Sequence, residues 1–224
     1  MKKIILAFGL LSISYTTFAQ STLKSAVAKS TDYLVIQAGY VNMNGTGASS
    51  LHMGFNRTLN VALMYDIPLS ESKFSLGAGL GVGSDHYYFS KEKIDITNTT
   101  SPSRTASDNY KHSKMATTYL EIPLELRFHQ RKDDLNKGFK VGVGVKTGYL
   151  LNAHTRLVNN QTGHNVTEVE SSKYWFNTIR FAGTARIGWG NYAIFGTYAL
   201  NDIFKSNNTY AVKAYTVGIS FGGF

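Results

Sequence analysis

Along most of the chain, apolar and polar positions alternate with a period of two, the signature of half-buried β-strands. Between Leu51 and Leu69 the odd positions are apolar or aromatic except Arg57, while the even ones include His52, Asn56, Thr58, Asn60 and Asp66. The same alternation places Phe74, Leu76, Ala78, Leu80 and Val82 against Ser75, Gly77, Gly79, Gly81 and Gly83. It places Leu120, Ile122, Leu124, Leu126 and Phe128 against Tyr119, Glu121, Pro123, Glu125 and Arg127. Phe139, Val141, Val143, Val145 and Tyr149 stand against Lys140, Gly142, Gly144, Lys146 and Gly148. Three further runs follow: Ile179 to Trp189, Tyr192 to Leu200, and Tyr215 to Phe221. A weaker one, Tyr33 to Tyr40, sets Leu34, Ile36 and Ala38 on one face. The pattern predicts eight strands.

A soluble, lipocalin-like barrel would alternate too, with its oily face inward. Two features favour the inverted arrangement. The polar face carries Glu121, Glu125, Arg127, Lys140, Lys146, Arg180 and Arg186 among many glycines, which suits a lumen where charges pair. The predicted connections also alternate in length. Residues 41–50, 85–116 and 152–175 are long, 129–138 and 202–210 moderate, and 70–72 and 190–191 short. Long loops at one end and short turns at the other mark an outer-membrane barrel. The expected fold is therefore all-β, an eight-stranded antiparallel up-and-down transmembrane β-barrel with long extracellular loops and short periplasmic turns. With both termini periplasmic, Tyr33, Phe74, Phe139 and Tyr192 open outward strands, and Tyr65, Phe128, Trp189 and Phe221 close inward ones. Phe55, Tyr149, Tyr198 and Tyr215 fall at the opposite end. Two such aromatic girdles suit membrane interfaces.

The first 19 residues, MKKIILAFGLLSISYTTFA, combine Lys2 and Lys3, an apolar run from Ile4 to Leu11, and the small-x-small site Thr17-Phe18-Ala19. This reads as a secretory signal peptide cleaved after Ala19. Residues 20–32 form a short periplasmic segment and 33–224 the barrel domain. Removing Lys2 and Lys3 leaves 21 basic against 14 acidic residues, a net charge of +7, scattered rather than clustered. The chain has no cysteine, which removes disulfides, thiolate metal sites and lipidation through Cys. No apolar stretch reaches the length of about 20 residues that a helical span needs.

The run Phe55 to Tyr87, with Tyr65-Asp66-Ile67-Pro68-Leu69-Ser70, resembles the PorT-like outer-membrane β-barrel domain of exported Bacteroidetes proteins, often called porin-like. Tyr119-Leu120-Glu121-Ile122-Pro123-Leu124 is similar to that family's most specific motif; Gly144 to Leu151 and Tyr198 to Phe204 also fit. The resemblance covers most of residues 33–221. It implies an eight-stranded outer-membrane barrel and carries over no catalytic residue. Pro123 inside a strand predicts a bulge. A terminal aromatic, Phe224, resembles the signal read by the barrel-assembly machinery, although it is out of phase with Phe221.

An eight-stranded barrel has an interior just wide enough for side chains, which argues against a diffusion pore. If the strands flanking 129–138 pair through that turn, Glu121 faces Lys146; a slip of two would set Glu125 opposite Lys140. At least one acid is expected to bridge a lumen Lys or Arg. Gly77-x-Gly79-x-Gly81-x-Gly83 lacks the spacing of a dinucleotide fingerprint and reads as a smooth inner wall. The six histidines, His52, His86, His112, His129, His154 and His164, show no metal-site spacing, and no cofactor is expected. Ser84-Asp85-His86 hints at hydrolytic machinery, but adjacent Asp and His in a strand point to opposite faces. The expected role is structural or surface-interacting, without catalysis. A secretion or assembly accessory, an outer-membrane hydrolase or lipid-modifying enzyme, and a small-solute transporter are the alternatives. Expected partners are outer-membrane lipid and lipopolysaccharide, the assembly machinery acting on the C-terminal strand, and envelope or secretion proteins, but not nucleic acid. The polar segments 90–116 and 152–173 are the candidate binding loops.

Overall fold

The computed structural model describes residues 31–46, 54–69, 72–98, 102–108, 110–131, 138–161, 164–205 and 210–222. The expected signal segment, Leu51, His52, Met53 and Phe224 lie outside the described residues. The described residues form eleven strands: β1 (Thr31–Thr46), β2 (Arg57–Pro68), β3 (Phe74–Phe89), β4 (Glu92–Asp95), β5 (Ser103–Ala106), β6 (Tyr110–His129), β7 (Phe139–Gln161), β8 (His164–Ser171), β9 (Ile179–Trp189), β10 (Tyr192–Ala199) and β11 (Ala211–Gly222). Eight of them, β1, β2, β3, β6, β7, β9, β10 and β11, pair antiparallel in chain order, and β11 pairs with β1 to close the barrel.

The apolar phase faces outward. Leu59, Leu63, Leu80, Ile122, Val143, Val145, Ile187, Ile194, Val217 and Ile219 are all exposed. A soluble barrel would bury these rows. The polar phase turns inward, and there Asn60, Asp66, Glu121, Glu125, Arg127, Lys140 and Arg186 are buried. Tyr65, Phe74, Phe128, Phe139, Trp189, Tyr192 and Phe221 lie beside the short turns, where Phe74 stacks on Phe128 at 5.4 Å and Tyr192 on Phe221 at 5.3 Å. Tyr33 departs from this ring: its phase turns it inward, and the Arg127 guanidinium lies 5.3 Å from its ring centre.

The strands run further past the oily band than their alternation suggests. Segment 85–116 is not one loop: β3 continues to Phe89, β6 begins at Tyr110, and β4 and β5 form a hairpin between them. Segment 152–175 is likewise structured, because β7 continues to Gln161 and β8 folds back along it. Past the oily band the outward positions His86, Lys114, His154 and Arg156 are polar while the inward Tyr87, Phe89, Met115 and Leu157 are apolar, so an alternation with an oily outer face could not reveal these extensions. At the other extreme, β2 starts only at Arg57.

Pro123 makes no bulge. It stands opposite Lys146 in an unbroken β6–β7 register. On its other side, the ladder to β3 lapses at Gly79 and Leu80 and resumes without shift. A proline removes one donor without requiring an extra residue. The bulge lies elsewhere: Thr118 pairs with Asn152 and Tyr119 with Leu150, which leaves Leu151 as the extra residue. An inserted residue inverts the alternation. Below it the even positions of β7 face inward; above it Ala153, Thr155, Leu157 and Asn159 do.

Candidate functional site: a charged lumen beneath an apolar lid

The lumen chemistry begins with the phase of β2, β3, β6, β7 and β9, which turns Asp66, Asp85, Glu121, Glu125, Arg127, Lys140, Lys146, Arg180 and Arg186 inward. Glu125 accepts hydrogen bonds from Arg127, at 2.9 Å from Nη2, and from Arg186. Asp66 lies 3.6 Å from Arg127 and 3.4 Å from His129. His129 in turn bonds Ser75 at 2.9 Å. One layer further from the short turns, Glu121 accepts from Lys146 at 3.0 Å and from Arg180. Arg180 also reaches Asp85, and Thr58 donates to that same carboxylate at 2.6 Å. The guanidinium of Arg180 lies 4.0 Å from the Tyr119 ring centre.

The seven ionic residues singled out by the strand phase, Glu121, Glu125, Arg127, Lys140, Lys146, Arg180 and Arg186, thus share one lumen. Their partners differ from the simple expectation. Glu121 faces Gly148 and Glu125 faces Gly144, while Lys140 faces His129. The pairing is set two residues away from the anticipated register, so Lys146 reaches Glu121 diagonally rather than directly across. Three members escaped the sequence reading: Asp66, Asp85 and His129. Asp66 and Asp85 sit in the polar phase of β2 and β3, which was the signal available for them. His129 opens the segment 129–138, which the alternation reads as a connection, so its place in the lumen is not legible there.

Glycines make the room. A Cβ built on Gly77 would enter the Arg127 guanidinium, and one on Gly83 would sit 2.8 Å from the Glu121 carboxyl carbon. The glycine row of β3 is the recess into which the long ionic side chains fold.

Toward the long-loop end the interior turns apolar. Val41, Met43, Tyr87, Phe89, Met115, Tyr119 and Leu150 line the wall, and Ile94, Ile96, Trp175, Phe176, Ile203 and Phe204 descend onto them from the connecting segments. Polar contacts fasten this lid. Trp175 donates to the Asn98 carbonyl at 2.8 Å. Asn177 donates to the carbonyls of Asp202 and Phe204. Lys93 on β4 bridges Glu170 at 2.8 Å and Glu168 at 3.3 Å on β8. The hydrogen bond to Glu170 raises the Lys93 pKa above 10.5. Burial pushes the Asp95 carboxyl up, but hydrogen bonds from Thr97 and Asn98 outweigh it and hold the pKa below 3.8.

Of the catalytic candidates, Ser84 and His86 share the outward face and bond at 3.0 Å. Asp85 points the other way, into the lumen, where Arg180 holds it. Among the described residues no cluster of three or more His, Asp or Glu has the disposition of a metal site.

A closed eight-stranded barrel with an oily exterior and a polar, ion-paired interior defines a class, the outer-membrane β-barrel. The chain belongs to the outer membrane protein beta-barrel domain family, whose model matches residues 11–205. Among solved structures, the crystal structure of Neisserial surface protein A is similar over 87% of this chain and 97% of that one, at 10% identity and a TM-score of 0.35. No match is found among curated proteins.

Proposed function

We propose that this chain is an integral outer-membrane barrel with a structural or surface-interaction role and no catalytic activity, its long-loop end facing the cell exterior. The observation that carries this reading is the filling of the interior by two successive layers, an ionic one and an apolar one. An eight-stranded barrel offers little free bore to begin with, and here both layers are buried. The chain is exported through cleavage after Ala19. It meets lipid and lipopolysaccharide along its oily face, and its C-terminal strand engages the barrel-assembly machinery.

Planar-bilayer recording tests the reading: the expected outcome is no stepwise conductance, and reproducible single-channel steps would overturn it in favour of solute transport. Protease on intact cells tests the orientation, with cleavage expected only in the long-loop segments.

A secretion or assembly accessory of the PorT type is the alternative. It is supported by β8, which is exposed along most of its length and pairs only with β7 among the described strands. A photocrosslinker at Thr167 that captures one envelope protein reproducibly would favour it. The hydrolase reading has weaker support, since no carboxylate bonds His86 among the described residues. An envelope lipase activity abolished by His86→Ala would revive it.

A further inference from the structure

The outward face is not uniform around the long-loop end. On the wall built by β2, β3, β6 and β7 the oily band stops at the row Val61, Val82, Leu120 and Tyr149, and the next row, Leu59, Ser84, Thr118 and Asn152, is largely polar. Directly above it, Arg57 pairs with His86, His86 with Ala116, and Ala116 with His154. One row higher, Tyr88 pairs with Lys114 and Lys114 with Arg156. Cross-strand partners share a face, so three obligate cations and two imidazoles stand side by side. From Arg57 to His154 there are three strand spacings of about 4.8 Å, roughly 14 Å in all.

Arg57 lies over the Tyr88 ring at 5.1 Å, and among the described residues no carboxylate bonds Arg57, Lys114 or Arg156. The carboxylates nearest in sequence point elsewhere. Asp85 is turned into the lumen. Glu168 and Glu170 pair across from Leu157 and Thr155, on the inward phase, and hold Lys93. At the same end, the opposite wall presents Phe181, Tyr198, Leu200 and Tyr215, with Lys213 beyond them.

We propose that Arg57, His86, Lys114, His154 and Arg156 form a binding site for the phosphorylated headgroup of an outer-leaflet glycolipid. The inference rests on the outer-membrane reading and the orientation proposed above. The position selects the ligand. The cations begin where the oily band ends, so an acyl chain lying against Leu59, Val82 and Tyr149 carries its headgroup phosphates up to them. Arginine and lysine supply charge-assisted hydrogen bonds to phosphate oxygens. The imidazoles and the Ser84 and Thr118 hydroxyls add neutral donors.

The test compares the wild-type protein with the Arg57→Gln/Lys114→Gln/Arg156→Gln variant. Both are placed in phosphatidylcholine nanodiscs doped with diphosphorylated lipid A or its dephosphorylated form, and native mass spectrometry reads the lipid retained. The expected result is a preference of roughly tenfold or more for the diphosphorylated lipid. The triple variant should lose it and Lys213→Gln should keep it. Equal retention by wild type and triple variant overturns the proposal. So does full displacement by millimolar inorganic phosphate, which would mark a site for a free anion. Should the triple variant fail to show heat-modifiable migration, Lys114→Gln replaces it together with a salt titration of the wild type. Retention indifferent to salt then overturns the proposal. A wild-type chain that never inserts overturns the outer-membrane reading as well; one that inserts without preference overturns only the lipid site.

Discussion

Near the short turns Glu125 is flanked by Arg127 and Arg186, all three buried, and the interior is held by charge on charge. Near the long loops Phe176 is fully buried against Phe204 at 5.1 Å, and the interior is held by apolar packing. The two layers have different sources. The ionic layer comes wholly from barrel strands, whose register fixes every partner. Among the described residues the apolar layer takes six of its seventeen buried members from segments between barrel strands, so it depends on those segments folding back into the mouth. Damage to the first should unfold the barrel, while damage to the second should open the lid and leave the barrel standing.

The largest expected effect is on the ionic layer. Glu125→Leu leaves Arg127 and Arg186 without their shared carboxylate and should destabilise by about 3–5 kcal/mol. It is read as a fall in the urea midpoint of heat-modifiable migration. Replacing Glu125 and Arg186 together by Leu should restore much of the loss, because Arg127 keeps the Asp66 carboxylate at 3.6 Å. An unchanged midpoint in the single variant would remove the distinction between the layers.

Phe176→Ala comes next, at about 3 kcal/mol for a buried aromatic. Its signature is faster proteolysis within 90–109 and 172–178, with heat-modifiable migration unaltered. Should the barrel midpoint fall by the same amount, the lid and the barrel are one cooperative unit.

Gly83→Val tests the recess. The new side chain must displace Glu121 or Asn60 and should lower stability by about 1–3 kcal/mol, while a valine at half-buried Gly183, which has open space around its Cβ position, should be tolerated.

The smallest effect belongs to the latch between β4 and β8. Lys93→Ala should cost under about 1 kcal/mol, since the pair is partly exposed and screened. The raised Lys93 pKa sets the pH window. The contribution is fully present below 10.5, the unfolded value, and is lost as pH climbs through the higher folded value. Proteolysis of the β4–β5 hairpin should therefore accelerate in strongly alkaline buffer, and that acceleration should vanish in Lys93→Ala.

Much of this was legible from residue order alone. Leu59, Val61 and Leu63 against Thr58, Asn60 and Ala62 show which face of β2 meets lipid, because side chains alternate across a strand. The same argument places Glu121, Glu125 and Arg127 inside. It fails at Pro123, where a missing donor suggests an extra residue that the strand does not contain, and at Leu151, whose bulge has no turn or glycine to betray it. It also fails for Ile94, Ile96, Trp175 and Phe176. Ile94 and Ile96 alternate over only a few residues, and Trp175 and Phe176 are adjacent, so nothing local shows that they enter the barrel mouth.

Alternation is a property of neighbouring residues, so the number of barrel strands, the oily exterior and the polar lumen are all local information that the chain carries without folding. Which carboxylate meets which cation is not local. Glu121 holds Lys146 and Arg180 because the β6–β7 register runs two residues from the simplest turn and because β9 closes beside β7. The lid and the cationic arc on one wall exist only after strands distant in sequence have paired, since each is assembled from three or more of them.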